Sequence, residues 1–452
     1  MLVLLCSTHL YFTVRLRFVQ RHIGKAIRYS LGTPTFSSVS PTRSHRNSLR
    51  TLTTTLAATL GTGNIIGIST AVALGGAGAV FWCWLTGIFG MATTYAESYL
   101  GIRYQQTLPN GNRICGPMVA FYHRLRKPSL SFVYAFCLLL AGLGMSATTS
   151  AVLRDSGTEL HIFSSDSFLL MSVSGILVAV LIGFIINGGG KTVRSFCLYL
   201  VPGMAVFYLA TCILLLFRNS TALFPALTLI VRSAFGFRAV GGGILAGGLQ
   251  LALRYGVARG LFTNEAGLGS AAVAASDSTD SPEVQGLISM SATFWDTVVM
   301  CGLTGLVIVS SIIKSGIAPA SFSSGELVHL AFSVLPFGRA LLNLSLCAFA
   351  IATLIGWYYI AEKAATQLSF LCHTEEKRFV AALRFFYMLC IFLGFLLSLD
   401  FIFALSDLLN AILVLPNLFL LFFLRKDIQS PVNKTVCGSQ TDKPQPDSIF
   451  YR

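Results

Sequence analysis

The chain has 452 residues, 54% of them hydrophobic and only 11% charged, with a mean hydropathy of +0.73. Soluble domains carry about 25% charged residues, so this composition excludes a soluble domain and reads as an all-α membrane protein that crosses the bilayer many times. The net charge of +14 could suit nucleic acid, but the basic residues lie in short loops between apolar runs, so membrane topology explains them and no nucleic-acid partner is expected.

Residues 1 to 14, "MLVLLCSTHLYFTV", are apolar but shorter than the roughly 20 residues that a spanning helix needs. Arg15, Arg17 and Arg21 follow this run, whereas a signal peptide carries its basic residues in front. The stretch is expected to be a short anchor or a truncated first span inside a basic N-terminal segment, 1–48. From residue 49 onward, apolar runs of spanning length have cores near 51–73, 79–101, 130–152, 168–187, 196–217, 239–257, 287–313, 340–361, 380–398 and 401–424. The 11 Cys are scattered singly with no CxxC pair, as small buried hydrophobes rather than a disulfide framework or zinc site.

With the N-terminus in the cytoplasm, only Arg154, Arg218, Arg232, Arg238, Lys314 and Arg339 of the basic residues fall outside. The positive-inside rule therefore predicts that both termini are cytoplasmic, including the tail 425–452, and the plasma membrane of a bacterium is the expected location. The connector 218–238 contains "TALFPALTLIVRSAFGF", which reads as an amphipathic stretch lying flat on the membrane. It divides the spans into a first five-helix repeat, 49–217, and a second, 239–424. Each repeat opens on an interrupted helix: "TLAATLGTGNIIGISTAVALGGAG" in the first and "AVGGGILAGGLQLALRYGVARGLFTNEAGLGS" in the second. Glycine-interrupted spans at corresponding positions are the sequence signature of an inverted-repeat transporter with its site at the midplane. An odd number of spans per half makes the repeats inverted.

Breaking a helix in lipid leaves backbone groups that cost several kcal/mol each unless protein, ion or substrate satisfies them. Gly61 and Gly63 permit the unusual backbone, and freed amides around Thr62, Gly63 and Asn64 at a half-helix N-terminus suit a carboxylate. Freed carbonyls beside hydroxyls suit a hard cation such as sodium. Gly63 and Gly67 also spell a GxxxG packing face, and both readings stay open at this point. In span three, "AGLGMSATTSAV" gives a small polar face through Gly142, Gly144, Ser146, Thr148 and Thr149. In span eight Thr353 precedes Trp357 by one turn, so a hydroxyl and a large aromatic share a helix side.

Asp296 sits inside span seven, where it either couples to an ion or pairs with Arg254 or Arg259. Glu265, in "FTNEAGLGS", is expected to cap or tie the broken sixth helix, while Glu97 and Glu362 lie near inner ends and read as interfacial. "NGGGKT" at 187–192 lacks the leading glycine of a phosphate loop. None of the seven His falls clearly within a span, and neither HExxH nor GxSxG occurs, so an intramembrane enzyme has no ligands or nucleophile.

Four blocks then carry a resemblance: "LGTGNIIGISTAVALGGAGAVFWCWLTGIFGMATTYAESYLGIRY" (60–104), "RGLFTNEAGLGSAAVAAS" (259–276), "TLIGWYYIAEK" (353–363) and "LPNLFLL" (415–421), joined by "VPGMAVFYL" in span five. Together they resemble the alanine or glycine:cation symporter family over nearly the whole chain from about residue 10. The resemblance implies a leucine-transporter-like fold of two inverted five-helix repeats with helices one and six broken. It also implies sodium-driven uptake of a small neutral amino acid, with sodium as coupling ion and no other metal or cofactor. Carried over, Thr62 and Gly63 would bind the charged groups of the substrate and Trp357 would limit its side chain. Thr353, with backbone oxygens near Gly61 and Ile65, would contribute to a sodium site. The chain departs from the family pattern at Ala352, where a serine is usual, and in "MSATTS", where Thr148 stands at the place of a glutamine-containing stretch. Proton coupling, and a receptor of the same fold that binds without transporting, are the alternatives.

Overall fold

A computed structural model describes residues 1–31, 41–108, 111–163, 167–235, 248–316 and 325–431. Among them, eight helices are long and apolar enough to cross a membrane, and ten if each of two bent pairs counts as one span. Helix α1 (Leu2–Arg15) and helix α2 (Ile23–Ser30), with a short 3-10 turn between them, form the first bent pair, at 65°. They pack onto the body of the protein: His9 Nδ1 meets Thr93 Oγ1 at 2.7 Å, and Ser30 Oγ meets Ser291 Oγ at 2.6 Å. His9 is thus a buried histidine inside an apolar helix, which its place in a short N-terminal run concealed.

The second bent pair is the interrupted helix of the first half. Helix α3 (Pro41–Thr59) stops, and after a break at 60–62 a π-helical turn (Gly63–Gly67) runs into α4 (Ile68–Gly75), bent by 52°. Side-chain competition explains the stop. The last regular rung runs from the Leu60 amide to the Leu56 carbonyl at 2.7 Å, but the next amide, Gly61, donates to Asn64 Oδ1 at 3.2 Å. Asn side chains offer the backbone such an alternative to the helical ladder. The Ala57 carbonyl is thereby released.

Spans α5 (Gly78–Arg103), α7 (Pro128–Glu159), α8 (Phe168–Asn187) and α9 (Gly189–Arg218) complete the first half, with a small antiparallel ribbon (Gln106–Thr107 with Arg113–Ile114) and short α6 (Pro117–His123) after α5. Helix α10 (Ser220–Ala234) follows. It buries Ala226 and Ile230, exposes Phe224 and Val231, and its Ala234 carbonyl accepts Trp82 Nε1–H at 2.9 Å.

The expected sixth run, 239–257, begins outside the described residues. Within them the helix is α11 (Leu249–Asn264), which continues past 257, so the second interruption lies at 265–269, before the five-residue α12 (Ser270–Ala274). The seventh span is α13 (Pro282–Thr293), a π-helical segment (Phe294–Cys301) and α14 (Gly302–Ser315); after the short α15 (Glu326–Phe332) come α16 (Gly338–Leu371), α17 (Glu376–Leu396) and α18 (Leu399–Phe423). In lipid, helices associate through close packing of small residues rather than by hydrophobic burial. Here Gly356 lets α16 approach the end of α3 so closely that a Cβ on it would lie 2.7 Å from the Ala58 amide nitrogen. That approach brings Thr353, one turn earlier, to the first break.

Candidate functional site

The two breaks face each other across one small cavity. From α3 and its break come Ala58, Thr59, Gly61, Thr62, Gly63 and Asn64; from α7, Met145, Thr148 and Thr149. Phe262, Thr263 and Glu265 approach from the end of α11, Thr353 from α16 and Phe403 from α18. The space among them, open solvent at its mouth included, is about 350 Å³, so the cavity in this structure is small.

Among the described residues no hydrogen bond is donated by the Thr62 or Gly63 amides, although the Thr62 carbonyl accepts Ile65 N–H at 3.2 Å and Ile66 N–H at 2.9 Å. Two such donors at the start of a half-helix have the chemistry to take an anion. Opposite them, Thr353 Oγ1 lies 3.4 Å from the Leu60 carbonyl, and a Cβ on Gly61 would come within 3.1 Å of that hydroxyl. The hydroxyl and the Leu60 carbonyl present oxygen to the same corner, the kind of donor a hard cation takes. The packing reading of Gly63 and Gly67 loses ground here. A Cβ at Gly63 would meet its nearest neighbour, Phe262, at 3.6 Å, and one at Gly67 would meet Arg259 at 3.9 Å. Both are ordinary contacts, so close helix packing does not demand glycine at either place.

Asn64 has a second task. Its Nδ2 donates to Asp296 Oδ1 at 2.6 Å and to the Asp296 carbonyl at 3.1 Å, while Thr297 Oγ1 donates to Asp296 Oδ2 at 2.9 Å. Asp296 therefore pairs with neither Arg254 nor Arg259, as one sequence reading had it. The π-helical turn points its carboxylate at the broken first helix, whereas Arg259 stacks over Phe262 and approaches Asp407 at 4.0 Å. Arg254 lies over the ring of Tyr255.

The second break is held from three helices. Glu97 Oε1 accepts the Gly267 amide at 2.8 Å and Asn417 Nδ2 at 2.6 Å, Asn417 Nδ2 also reaches the Gly267 carbonyl at 2.8 Å, and Tyr134 donates to the Leu268 carbonyl at 2.7 Å. Gly267 and Gly269 take positive φ of 103° and 81°, angles at which a side chain is strained. A Cβ on Gly269 would also lie 2.5 Å from the Tyr134 hydroxyl. Glu97 is thus a buried clamp rather than the interfacial carboxylate its position near a span end suggested. Glu265 bonds across the second break: Oε2 accepts Ser270 Oγ–H at 2.6 Å, and Oε1 accepts Trp357 Nε1–H at 3.1 Å.

Of the residues singled out from sequence, Gly61, Thr62, Gly63, Asn64, Thr148, Thr353 and Glu265 converge on the cavity. Trp357 stands one layer behind, 1% exposed, locked by its bond to Glu265. Ile65 lies in the core, and Arg259 and Asp296 are outside the lining. Gly142 and Gly144 serve packing, since a Cβ there would lie 3.0 Å from Ala361 and 2.9 Å from Leu409 respectively. Met145, Phe262 and Phe403 went unread because an apolar residue in an apolar run carries no signal. Asn417 had one, as the lone amide inside "LPNLFLL".

This geometry agrees with three likenesses. The chain is 36% identical to a sodium/alanine symporter of Methanococcus maripaludis over 427 residues, covering 92% of this chain and 90% of that one. It is 32% identical to a probable sodium/glutamine symporter of Bacillus subtilis over 463 residues, covering 100% of this chain and 90% of that one. Its fold is that of MhsT, solved in complex with L-phenylalanine, with a TM-score of 0.59 at 14% identity over 84% of this chain and 89% of that chain. That match makes the architecture leucine-transporter-like. The model of the sodium:alanine symporter family matches residues 1–443, and the chain belongs to that family of transporters.

Proposed function

We propose that the protein is a sodium-coupled symporter of a small neutral amino acid, alanine or glycine in either enantiomer, working by alternating access between two inverted five-helix repeats in the plasma membrane with both termini in the cytoplasm. The observation that carries this reading is the first break. Its free Thr62 and Gly63 amides suit a carboxylate, and the Thr353 hydroxyl with the Leu60 carbonyl suits sodium, with Thr62, Gly63 and Thr353 all lining one cavity. Sodium and amino acid are adjacent cargo there, so each strengthens the binding of the other by completing the charge around it. Bound together they draw α3, α11 and α16 toward one another, and closure follows from their preference for the closed arrangement.

The test is counterflow and gradient-driven uptake in proteoliposomes, with a panel of D- and L-amino acids under sodium, lithium or proton gradients. Accumulation of alanine or glycine that disappears without sodium supports the reading. Accumulation that survives without sodium and collapses with the pH gradient replaces sodium by protons, and binding with no filling of vesicles makes the protein a receptor.

A further inference from the structure

Helix α1 and the end of α18 meet far from the cavity, at a level where apolar surface gives way to positive charge. Exposed side chains along α1 include Val3, Leu10 and Val14, and those near the end of α18 include Phe419 and Phe423. In a chain that crosses the bilayer, such stripes face hydrocarbon. The change of character falls at the same point on both helices. On the first it comes at Arg15, followed by Arg17 and Arg21; after α18 it comes at Arg425 and Lys426, in a 3-10 turn (Arg425–Asp427).

Local bonds join the two basic runs. Arg15 Nε donates to the Arg425 carbonyl at 3.0 Å, and Ser430 Oγ donates to the Leu16 carbonyl at 3.1 Å. One turn earlier the rings of Tyr11 and Phe422 pack with centroids 5.4 Å apart, which sets α1 against α18. The turn between α1 and α2 is held as well. Gln20 Nε2 donates to Thr13 Oγ1 at 2.8 Å and to the Ile88 carbonyl at 3.1 Å, and the Arg21 guanidinium lies over the Phe18 ring.

The protein does not neutralise this patch. No acidic residue precedes Glu97 in the sequence. Asp427, the acid in the C-terminal turn, has its carboxylate taken by the Tyr104 hydroxyl at 2.7 Å and Arg124 Nε at 3.2 Å. Among the described residues, Arg15, Arg17, Arg21, Arg425 and Lys426 make no ion pair. Clustered Lys and Arg where a membrane helix leaves the hydrocarbon attract anionic headgroups, each residue strengthening the attraction about fivefold.

We propose that this patch binds an anionic phospholipid, its phosphate among Arg15, Arg17, Arg425 and Lys426 and its acyl chains along the Val14 and Phe423 sides of α1 and α18. A soluble phosphate compound meets the charges but gains nothing from the apolar stripes beside them. The lipid meets both. Bound there, it ties α1 to a turn that α5 also holds, through Tyr95 on the Gln429 carbonyl at 3.0 Å and Arg103 on the Asp427 carbonyl at 2.9 Å.

The experiment is native mass spectrometry of the full chain in detergent, titrated with palmitoyl-oleoyl phosphatidylglycerol or with phosphatidylcholine of the same chains. The proteins compared are the wild type, Arg17→Gln/Lys426→Gln and, as a control, Lys127→Gln/Lys377→Gln, which removes the same charge from exposed positions elsewhere. The wild type and the control are expected to bind the anionic lipid at least about tenfold more tightly than the zwitterionic one, and Arg17→Gln/Lys426→Gln to keep about threefold or less. A wild type with no preference beyond about threefold overturns the proposal, and this arm decides if a variant fails to insert. An Arg17→Gln/Lys426→Gln protein that keeps the full preference overturns it too. A control that loses as much as that variant reduces the effect to overall charge, and glycerol phosphate that displaces the bound lipid at equal concentration makes the occupant a soluble phosphate; either result also overturns it.

Discussion

At the scale of single residues, the site depends on atoms that are missing as much as on atoms that are present. Gly63 lines the cavity, and a Cβ on it would already reach contact with Phe262 at 3.6 Å, so a longer branched side chain would take up the cavity's space. Gly63→Leu is therefore expected to abolish alanine uptake while membrane insertion, read by detergent-resistant monodisperse elution, stays intact; normal transport by this variant would mean that the site is elsewhere. Thr353 supplies a hydroxyl against the Leu60 carbonyl. Removing it in Thr353→Val keeps the shape and is expected to raise the half-saturating sodium concentration about tenfold, the equivalent of about 1.4 kcal/mol, within the range for a lost buried hydrogen-bonding group. An unchanged sodium curve would remove Thr353 from the ion site. Thr62, Gly63 and Thr353 were legible in the sequence because polar or glycine residues inside an apolar run are costly in lipid and need a reason. Glu97 was misread for a related cause. A charged residue near the end of a span has one sequence signature, whether it faces headgroups or turns inward to a break.

Among the helical elements, the two interruptions are held by different devices. The first is set by Asn64, which spends its oxygen on the Gly61 amide and its nitrogen on Asp296. The second is set by positive-φ glycines and clamped by Glu97, Asn417 and Tyr134. Asn64→Ala removes both ends of the first device at once and is expected to cost about 1–3 kcal/mol, the penalty for leaving a buried polar partner unsatisfied, read as a lowered thermal midpoint in detergent. Asp296→Asn preserves an acceptor for Asn64 and is expected to unfold within about 1 kcal/mol of the wild type. If Asp296→Asn is as damaged as Asn64→Ala, the carboxylate charge itself matters there and the clamp is incompletely described. The existence of both breaks could be read from glycine patterning, but the position of the second could not. The stretch read as interrupted, 239–270, holds many glycines besides the two at 265–269 where the described helix breaks.

At the scale of the whole molecule, an ion-pair cluster centres on a loop outside the spans. Asp277, in the loop after α12, meets Arg194 of α9 at 3.3 Å, Lys363 of α16 at 3.3 Å and the Tyr359 hydroxyl at 2.7 Å. Burial pushes the Asp277 carboxyl up, yet Lys363, Arg194 and the hydrogen bonds outweigh it and hold it below the usual carboxylate range. A carboxylate depressed in the folded state stabilises the protein above its unfolded pKa of about 4 and loses that contribution as the pH falls through the lower folded value. The stability gap between the wild type and Asp277→Asn is thus expected to be constant at neutral pH and to shrink below about pH 4; a gap that instead shrinks between pH 6 and 8 would assign the effect to another group. Most of the spans were readable from hydropathy, whereas this cluster was not, because it joins a loop to helices far apart in sequence. The cavity has the same property. Its walls come from α3, α7, α11, α16 and α18, so a bound molecule acts as a reversible cross-link among five helices. The true cargo can accordingly be recognised in detergent, without any gradient, as the compound that most delays thermal unfolding, by about 2.7 kcal/mol at a hundred times its dissociation constant, and that does so better when its ion is present.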